Sequence, residues 1–121
     1  MFVSMKKVLY LKTCGTCIKI LKRFDLSAWE LRELKSAPIT EEELAQMYEQ
    51  TNSYEALFSR RSTQIKARNI DLKTLEENDF KHLILDHYSF LKRPVFLTDE
   101  KIFVGNDKKN IENLENFFKV K

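Results

Sequence analysis

Lys7-Val8-Leu9-Tyr10-Leu11-Lys12-Thr13-Cys14-Gly15-Thr16-Cys17-Ile18-Lys19-Ile20-Leu21-Lys22-Arg23-Phe24 is the stretch on which the fold turns. Lys7 to Leu11 is a short apolar run rich in strand formers and reads as a buried strand. Beyond it, apolar residues at Cys17, Ile18, Ile20, Leu21 and Phe24 suit a helix of two to three turns. The cysteine pair therefore stands at a strand-to-helix junction, with Cys14 just before or at the helix start. Trp29 to Leu34 alternates and reads as a second strand. Residues 7 to 34 thus form a β-α-β unit, which implies a parallel pair and a right-handed crossover.

Working outward, Thr40-Glu41-Glu42-Glu43 is a capping box with acidic first-turn residues. It opens a helix whose apolar stripe is Leu44, Met47 and Tyr48. Residues 52 to 92 are helical in flavour, with Tyr54 to Phe58, Thr63 to Ala67 and Phe80 to Phe90 as candidates. Asn69-Ile70-Asp71 and Glu77-Asn78-Asp79 look like breaks. Pro94 to Thr98 and Lys101 to Val104 are two strands at hairpin spacing, joined by Asp99-Glu100 and ended by Gly105. Asn106 or Asp107 can cap a last helix with Ile111, Leu114, Phe117 and Phe118 on one face. The order β-α-β, helical insert, β-β-α is that of an α/β, thioredoxin-like core with a helical insertion at about residues 40–92.

The whole chain of 121 residues suits one domain, residues 1–121. An apolar share of 43% can bury a core, and two Gly and two Pro exclude collagen-like, linker-rich and low-complexity chains. No apolar run approaches the roughly 20 residues of a membrane span. Val8 to Leu11 is too short for a signal-peptide core, so a cytoplasmic chain without a membrane partner is expected, with Met5 as a second candidate start. The net charge of +3 is a weak bias, without the sharper basic cluster of a DNA-binding domain, and does not decide the partner; no direct nucleic-acid partner is expected.

The two cysteines are too close in sequence to staple distant parts of a fold. Only His82 and His87 could complete a zinc set, at a spacing outside the usual finger pattern, so no bound metal or cofactor is expected. A redox pair is the better reading. At a helix start the unpaired N–H groups and the macrodipole favour a thiolate. Cys14 is the nucleophile by position. Cys17, one helical turn on, can attack a mixed disulfide on Cys14, and the pair lies within reach of a reversible disulfide. Thr13 and Thr16 can donate hydroxyl hydrogen bonds. The plainer alternative is two reduced cysteines packed beside a core helix. Arg93 would bring a guanidinium toward the sulfur, and Pro94 opens a strand where a missing N–H is tolerable; the plainer alternative for Arg93 is a solvated side chain. The same holds for Arg60-Arg61, of which one would point toward a site.

Together, Leu9-Tyr10 with Cys14-Gly15-Thr16, Leu57-Phe58-Ser59-Arg60-Arg61-Ser62, His87 through Leu91-Lys92-Arg93-Pro94-Val95, and Val104-Gly105-Asn106 resemble the arsenate reductase (ArsC) and Spx family. The resemblance runs from about residue 6 to 118. It implies a thioredoxin-like core with a helical insert, a reactive cysteine at Cys14, an arginine at Arg93, a cis proline at Pro94 and a loop arginine at Arg61. Gly15 and Thr16 complete the motif around the cysteine.

The resemblance implies two functions. One is a thiol oxidoreductase, arsenate reductase-like, acting on a small oxidised or oxyanion substrate or a thiol-redox protein. Glutathione, a glutaredoxin or a thioredoxin would be its external reductant. The other is an Spx-type redox sensor that binds the C-terminal domain of RNA polymerase alpha. Arsenate reductases of the family carry Cys-Gly-Thr-Ser-Arg, where this chain has Cys17 and Ile18, and a further Arg where it has Asn106-Asp107-Lys108-Lys109. Weak or absent arsenate turnover is therefore expected. Typical Spx chains carry a glycine pair where this chain has Thr51-Asn52-Ser53, and its last helix has no Arg.

Overall fold

The computed structural model describes residues 5–119, so the reading of residues 1–4 lies outside it. The described residues divide into two compact units. One joins the residues up to Ala37 with those from Arg93 onward; the other is Pro38–Lys92.

In the first unit, β1 (Lys6–Tyr10) pairs in parallel with β2 (Glu30–Glu33) across helix α1 (Gly15–Leu21). β1 also pairs antiparallel with β3 (Val95–Thr98), which forms a hairpin with β4 (Ile102–Val104). The sheet order is β2-β1-β3-β4, a thioredoxin-like arrangement. β1 and β3 are central, which explains their apolar sequences: Val8, Leu9, Val95, Phe96 and Leu97 are all fully buried. Gly105 ends β4 with φ 91, a left-handed conformation open to glycine at little cost, and its N–H donates to the Pro94 carbonyl at 2.9 Å. Helix α5 (Lys108–Lys119) follows. Asp107 is its cap residue, since the Ile111 N–H donates to the Asp107 carbonyl.

The core of this unit is Val8, Ile20, Trp29, Phe96, Phe103 and Leu114, with Phe24, Ile111, Phe117 and Phe118 packed against it. Phe24 stacks on Phe118 at 4.5 Å between ring centroids, and Trp29 meets Phe96 edge-on at 5.6 Å. Burial of a phenylalanine such as Phe96 contributes roughly 1.5–3 kcal/mol, so this cluster anchors both helices to one face of the sheet. Helix α1 is two turns, the short end of the expected two to three: it closes at Lys22, and Phe24 reaches the core from the loop beyond.

The helical insert occupies the second unit. Helix α2 (Glu41–Thr51) starts at the expected box, in which Thr40 Oγ1 accepts the Glu43 N–H and the Glu43 carboxylate accepts the Thr40 N–H, each at 3.0 Å. Helix α3 (Thr63–Ala67) is capped by Ser62, whose Oγ accepts the Gln64 N–H at 3.2 Å. Tyr54 to Phe58 makes a single 3-10 turn, Glu55–Leu57, rather than a helix. The expected break at Glu77-Asn78-Asp79 is wrong. Those residues are the first turn of helix α4 (Glu77–Asp86), because the Asp79 carboxylate accepts the Glu76 N–H at 2.8 Å and acidic groups suit a helix start. The helix expected to run to Phe90 stops at His87, which is extended and whose Nδ1 accepts the Ser89 N–H at 3.1 Å. Phe58, Phe80 and Phe90 form this unit's aromatic core, with Phe58 stacked on Phe90 at 5.5 Å. Among the described residues, no helix is long and apolar enough to cross a membrane.

Candidate active site

β1 delivers the chain to the site and α1 carries it away. The Cys14 N–H donates back to the Leu11 carbonyl at 3.1 Å, closing a tight turn at the strand end, and the Cys14 carbonyl accepts the Ile18 N–H at 3.1 Å. Cys14 is thus the N-cap residue of α1, with extended backbone at φ −91 and ψ 104. Its side chain is half-buried, that of Cys17 is fully buried, and both are free thiols.

The two thiols differ in charge as well as exposure. Burial opposes ionisation of Cys14 and is the largest single influence on it. Against it act the Cys17 N–H, the Cys17 S–H, the Arg93 guanidinium and the Thr16 N–H, which together hold the Cys14 thiol below its ordinary 9.0. Cys17 moves the other way. Burial, then its own hydrogen bond to the Cys14 sulfur, then the Cys14 charge push it up to about 12. The first turn therefore holds one thiolate-prone sulfur and one proton-holding sulfur that donates to it. With α1 only two turns long, direct N–H contacts from Thr16 and Cys17 carry this effect more than a macrodipole would.

Arg93 precedes Pro94 across a cis peptide bond, and Pro94 is buried at the entry to β3. Arg93 joins Cys14 and Cys17 in the site, since its charge acts on both sulfurs. Thr16 is exposed and contributes through its backbone N–H. A Cβ placed on Gly15 would meet nothing within 4 Å, so space does not dictate a glycine there. Arg61 lies in the other unit, exposed in the turn before α3, with its N–H on Ser59 Oγ at 3.4 Å. Arg60 pairs with Glu55 at 2.5 Å. Among the described residues, no three His, Cys, Asp or Glu side chains gather as a metal set. His87 serves as a cap instead.

One residue beside the turn escaped the sequence reading. Glu33, the last residue of β2, stands opposite Tyr10 in the sheet register. Its Oε2 accepts the Lys12 N–H at 2.9 Å, and its Oε1 accepts the Ser36 N–H at 2.9 Å and the Ser36 hydroxyl at 3.0 Å. The Lys12 and Ser36 N–H donors lead the influences that hold its carboxyl below the usual carboxylate range. The available signal was the β-α-β register, which brings the end of β2 beside the end of β1.

The model of the ArsC family matches residues 9–114. Among curated proteins, the global transcriptional regulator Spx of Staphylococcus epidermidis is 28% identical over 103 residues, covering 82% of this chain and 78% of that protein. Spx of Lactiplantibacillus plantarum is 28% identical over 103 residues, covering 82% and 77%. Among solved structures, an ArsC family related protein from Bacteroides fragilis superposes with a TM-score of 0.72 at 23% identity, covering 90% of this chain and 96% of that one. An arsenate reductase from Vibrio cholerae gives 0.72 at 14% identity, covering 94% and 98%. At these identities the structural matches speak to the fold.

Proposed function

The chain belongs to the ArsC family, and on that premise we propose that it is a thiol oxidoreductase in which Cys14 attacks and Cys17 resolves. The observation that carries this reading is the pair of free thiols in one turn at the start of α1, Cys14 half-buried at the N-cap and Cys17 fully buried three residues on.

The chemistry follows from that pair. The Cys14 thiolate attacks one sulfur of an oxidised substrate disulfide. A bond forms from Cys14 Sγ to that sulfur, the substrate S–S bond breaks, and the departing thiolate takes a proton from solvent. Cys17 is a poor nucleophile while it holds its proton. Once Cys14 is in a mixed disulfide, its charge and its demand for the Cys17 S–H are gone. Two of the influences that raise the Cys17 thiol then vanish, burial remaining as the third. Cys17 loses its proton, attacks Cys14 Sγ and releases the second substrate thiolate. The products are a Cys14–Cys17 disulfide and two thiols. An external dithiol, or two monothiols such as glutathione, restores the pair with two electrons; a glutaredoxin or thioredoxin would serve the same role. Arg93 favours the attacking thiolate.

The test is a challenge with glutathione disulfide followed by intact mass and peptide mapping. Wild type should pass to a Cys14–Cys17 disulfide, whereas Cys17→Ser should stop at glutathione on Cys14. Adduct on neither cysteine would overturn the reading. Assayed with glutathione and glutaredoxin, arsenate should turn over weakly or not at all, because Ile18 stands where those reductases carry an Arg and Asn106-Asp107-Lys108-Lys109 lacks their further Arg.

The Spx relatives favour a second reading, in which the same disulfide switches binding to the C-terminal domain of RNA polymerase alpha. Capture of that domain by the reduced protein against the oxidised protein separates the readings. Binding in neither state removes the regulator, and a state-dependent change without disulfide turnover removes the enzyme.

A further inference from the structure

We propose that Glu33 is a positioning residue for the nucleophile: its carboxylate clamps the Lys12-Thr13 turn to the Ser36 turn, and so holds the backbone that aims N–H groups at the Cys14 sulfur. This rests on the reading of Cys14 as the attacking thiol.

The geometry is a two-ended brace. One carboxylate oxygen holds Lys12 N–H at 2.9 Å, and the other holds Ser36 N–H and hydroxyl at 2.9 and 3.0 Å. Both ends are also fixed by main chain: the Leu34 N–H donates to the Tyr10 carbonyl, and the Ala37 N–H to the Glu33 carbonyl, each at 2.9 Å. Lys12 lies inside the Leu11-to-Cys14 turn, which is closed by the bond from Cys14 N–H to Leu11 carbonyl. Lys12 and Thr13 are exposed, so little packing holds them. A charge-assisted bond to an ionised carboxylate is about twice as strong as a neutral one, so it adds a side-chain restraint to the main-chain bond that closes the turn. The N–H donors of Thr16 and Cys17 follow directly from the same turn.

The brace needs two acceptor oxygens at one length. Glu33→Gln keeps the length but leaves one acceptor. Glu33→Asp keeps the charge but is too short to span both ends. The two substitutions separate positioning from simple charge, because the signs differ. A nearby carboxylate opposes a thiolate, so loss of charge alone would speed Cys14 alkylation at pH 7. Loss of positioning weakens the N–H contacts and slows it.

Hydrogen exchange and iodoacetamide labelling of the full chain test this together. In Glu33→Gln and Glu33→Asp alike, the Lys12 and Cys14 amides should exchange about tenfold faster, and Cys14 should label about two- to threefold more slowly at pH 7. Ser36→Ala, which keeps both backbone contacts, should stay near wild type. Unchanged exchange, or faster labelling in Glu33→Gln, would overturn the proposal. If wild-type Cys14 itself labels like a free cysteine, the reading of Cys14 fails, while the exchange data still decide whether Glu33 braces the turn. An unfolded Glu33→Gln would leave Glu33→Asp, which retains the ionised group, to make the same decision.

Discussion

The solvent side and the core side of the first turn of α1 carry the same side chain and opposite chemistry. On the solvent side, Cys14 is half-buried, capped by N–H groups and held toward the thiolate. On the core side, Cys17 is fully buried and holds its proton up to about 12. The difference is three residues of sequence. Placement relative to a helix end and a sheet sets the thiol, and residue type alone does not. The contrast also links the two: the donor that makes Cys14 reactive is the proton that keeps Cys17 quiet.

The largest effect expected from this contrast is selectivity. At pH 7 Cys14, whose thiol is lowered, holds far more thiolate than Cys17, whose thiol is pushed up to about 12. The weaker nucleophilicity of a low-pKa thiolate offsets part of this, leaving alkylation of Cys14 faster by about tenfold or more. Burial of Cys17 widens that ratio. Peptide mapping after brief labelling checks it, and equal labelling would erase the contrast.

Next comes Arg93. Arg93→Ala should slow Cys14 alkylation at pH 7 by about two- to fivefold, and Arg93→Lys by less, since a point charge keeps much of the attraction. The effect should shrink in high salt. An unchanged rate would remove Arg93 from the site.

The core side has its own signature in stability. The unfolded chain releases the Cys17 proton near 9.0, and the folded chain holds it until about 12. Between those values the folded state binds more protons, so stability is fully present below 9 and falls as pH rises through the window. Cys17→Ala should flatten the fall of the melting temperature between pH 9 and 11. Cys14 has the opposite sign: its contribution is present above 9.0 and is lost as pH falls through its lowered value.

The smallest effect concerns Gly15. With open space around its Cβ position, Gly15→Ala should stabilise the protein by about 0.5 kcal/mol through the unfolded chain and leave Cys14 labelling unchanged. A loss of labelling would show that the backbone there must move during reaction.

The central strands β1 and β3 were readable because they are buried runs bounded by charged residues, and β2 because its residues alternate. β1, β3, β4 and α5 fall within a residue or two of expectation, and so does the capping box at Thr40. The insert was less legible. Glu77-Asn78-Asp79 looked like a break because polar clusters mark both loops and helix starts, and only the Asp79-to-Glu76 bond tells them apart. In the site, Cys14, Cys17 and Arg93 could be named from motif and order. Glu33 could not, since its role depends on strand register rather than on any local pattern. Nor could the direction of the Cys17 shift, which comes from burial that a two-turn helix imposes on its third residue.

Activation of the Cys14 thiol is what every step above depends on, and the rate of its alkylation by iodoacetamide against pH, mapped by peptide, measures that directly. The midpoint should lie below the ordinary 9.0 of a cysteine thiol, and Arg93→Ala should move it upward. A midpoint at or above 9.0 that does not move in Arg93→Ala would contradict an activated Cys14.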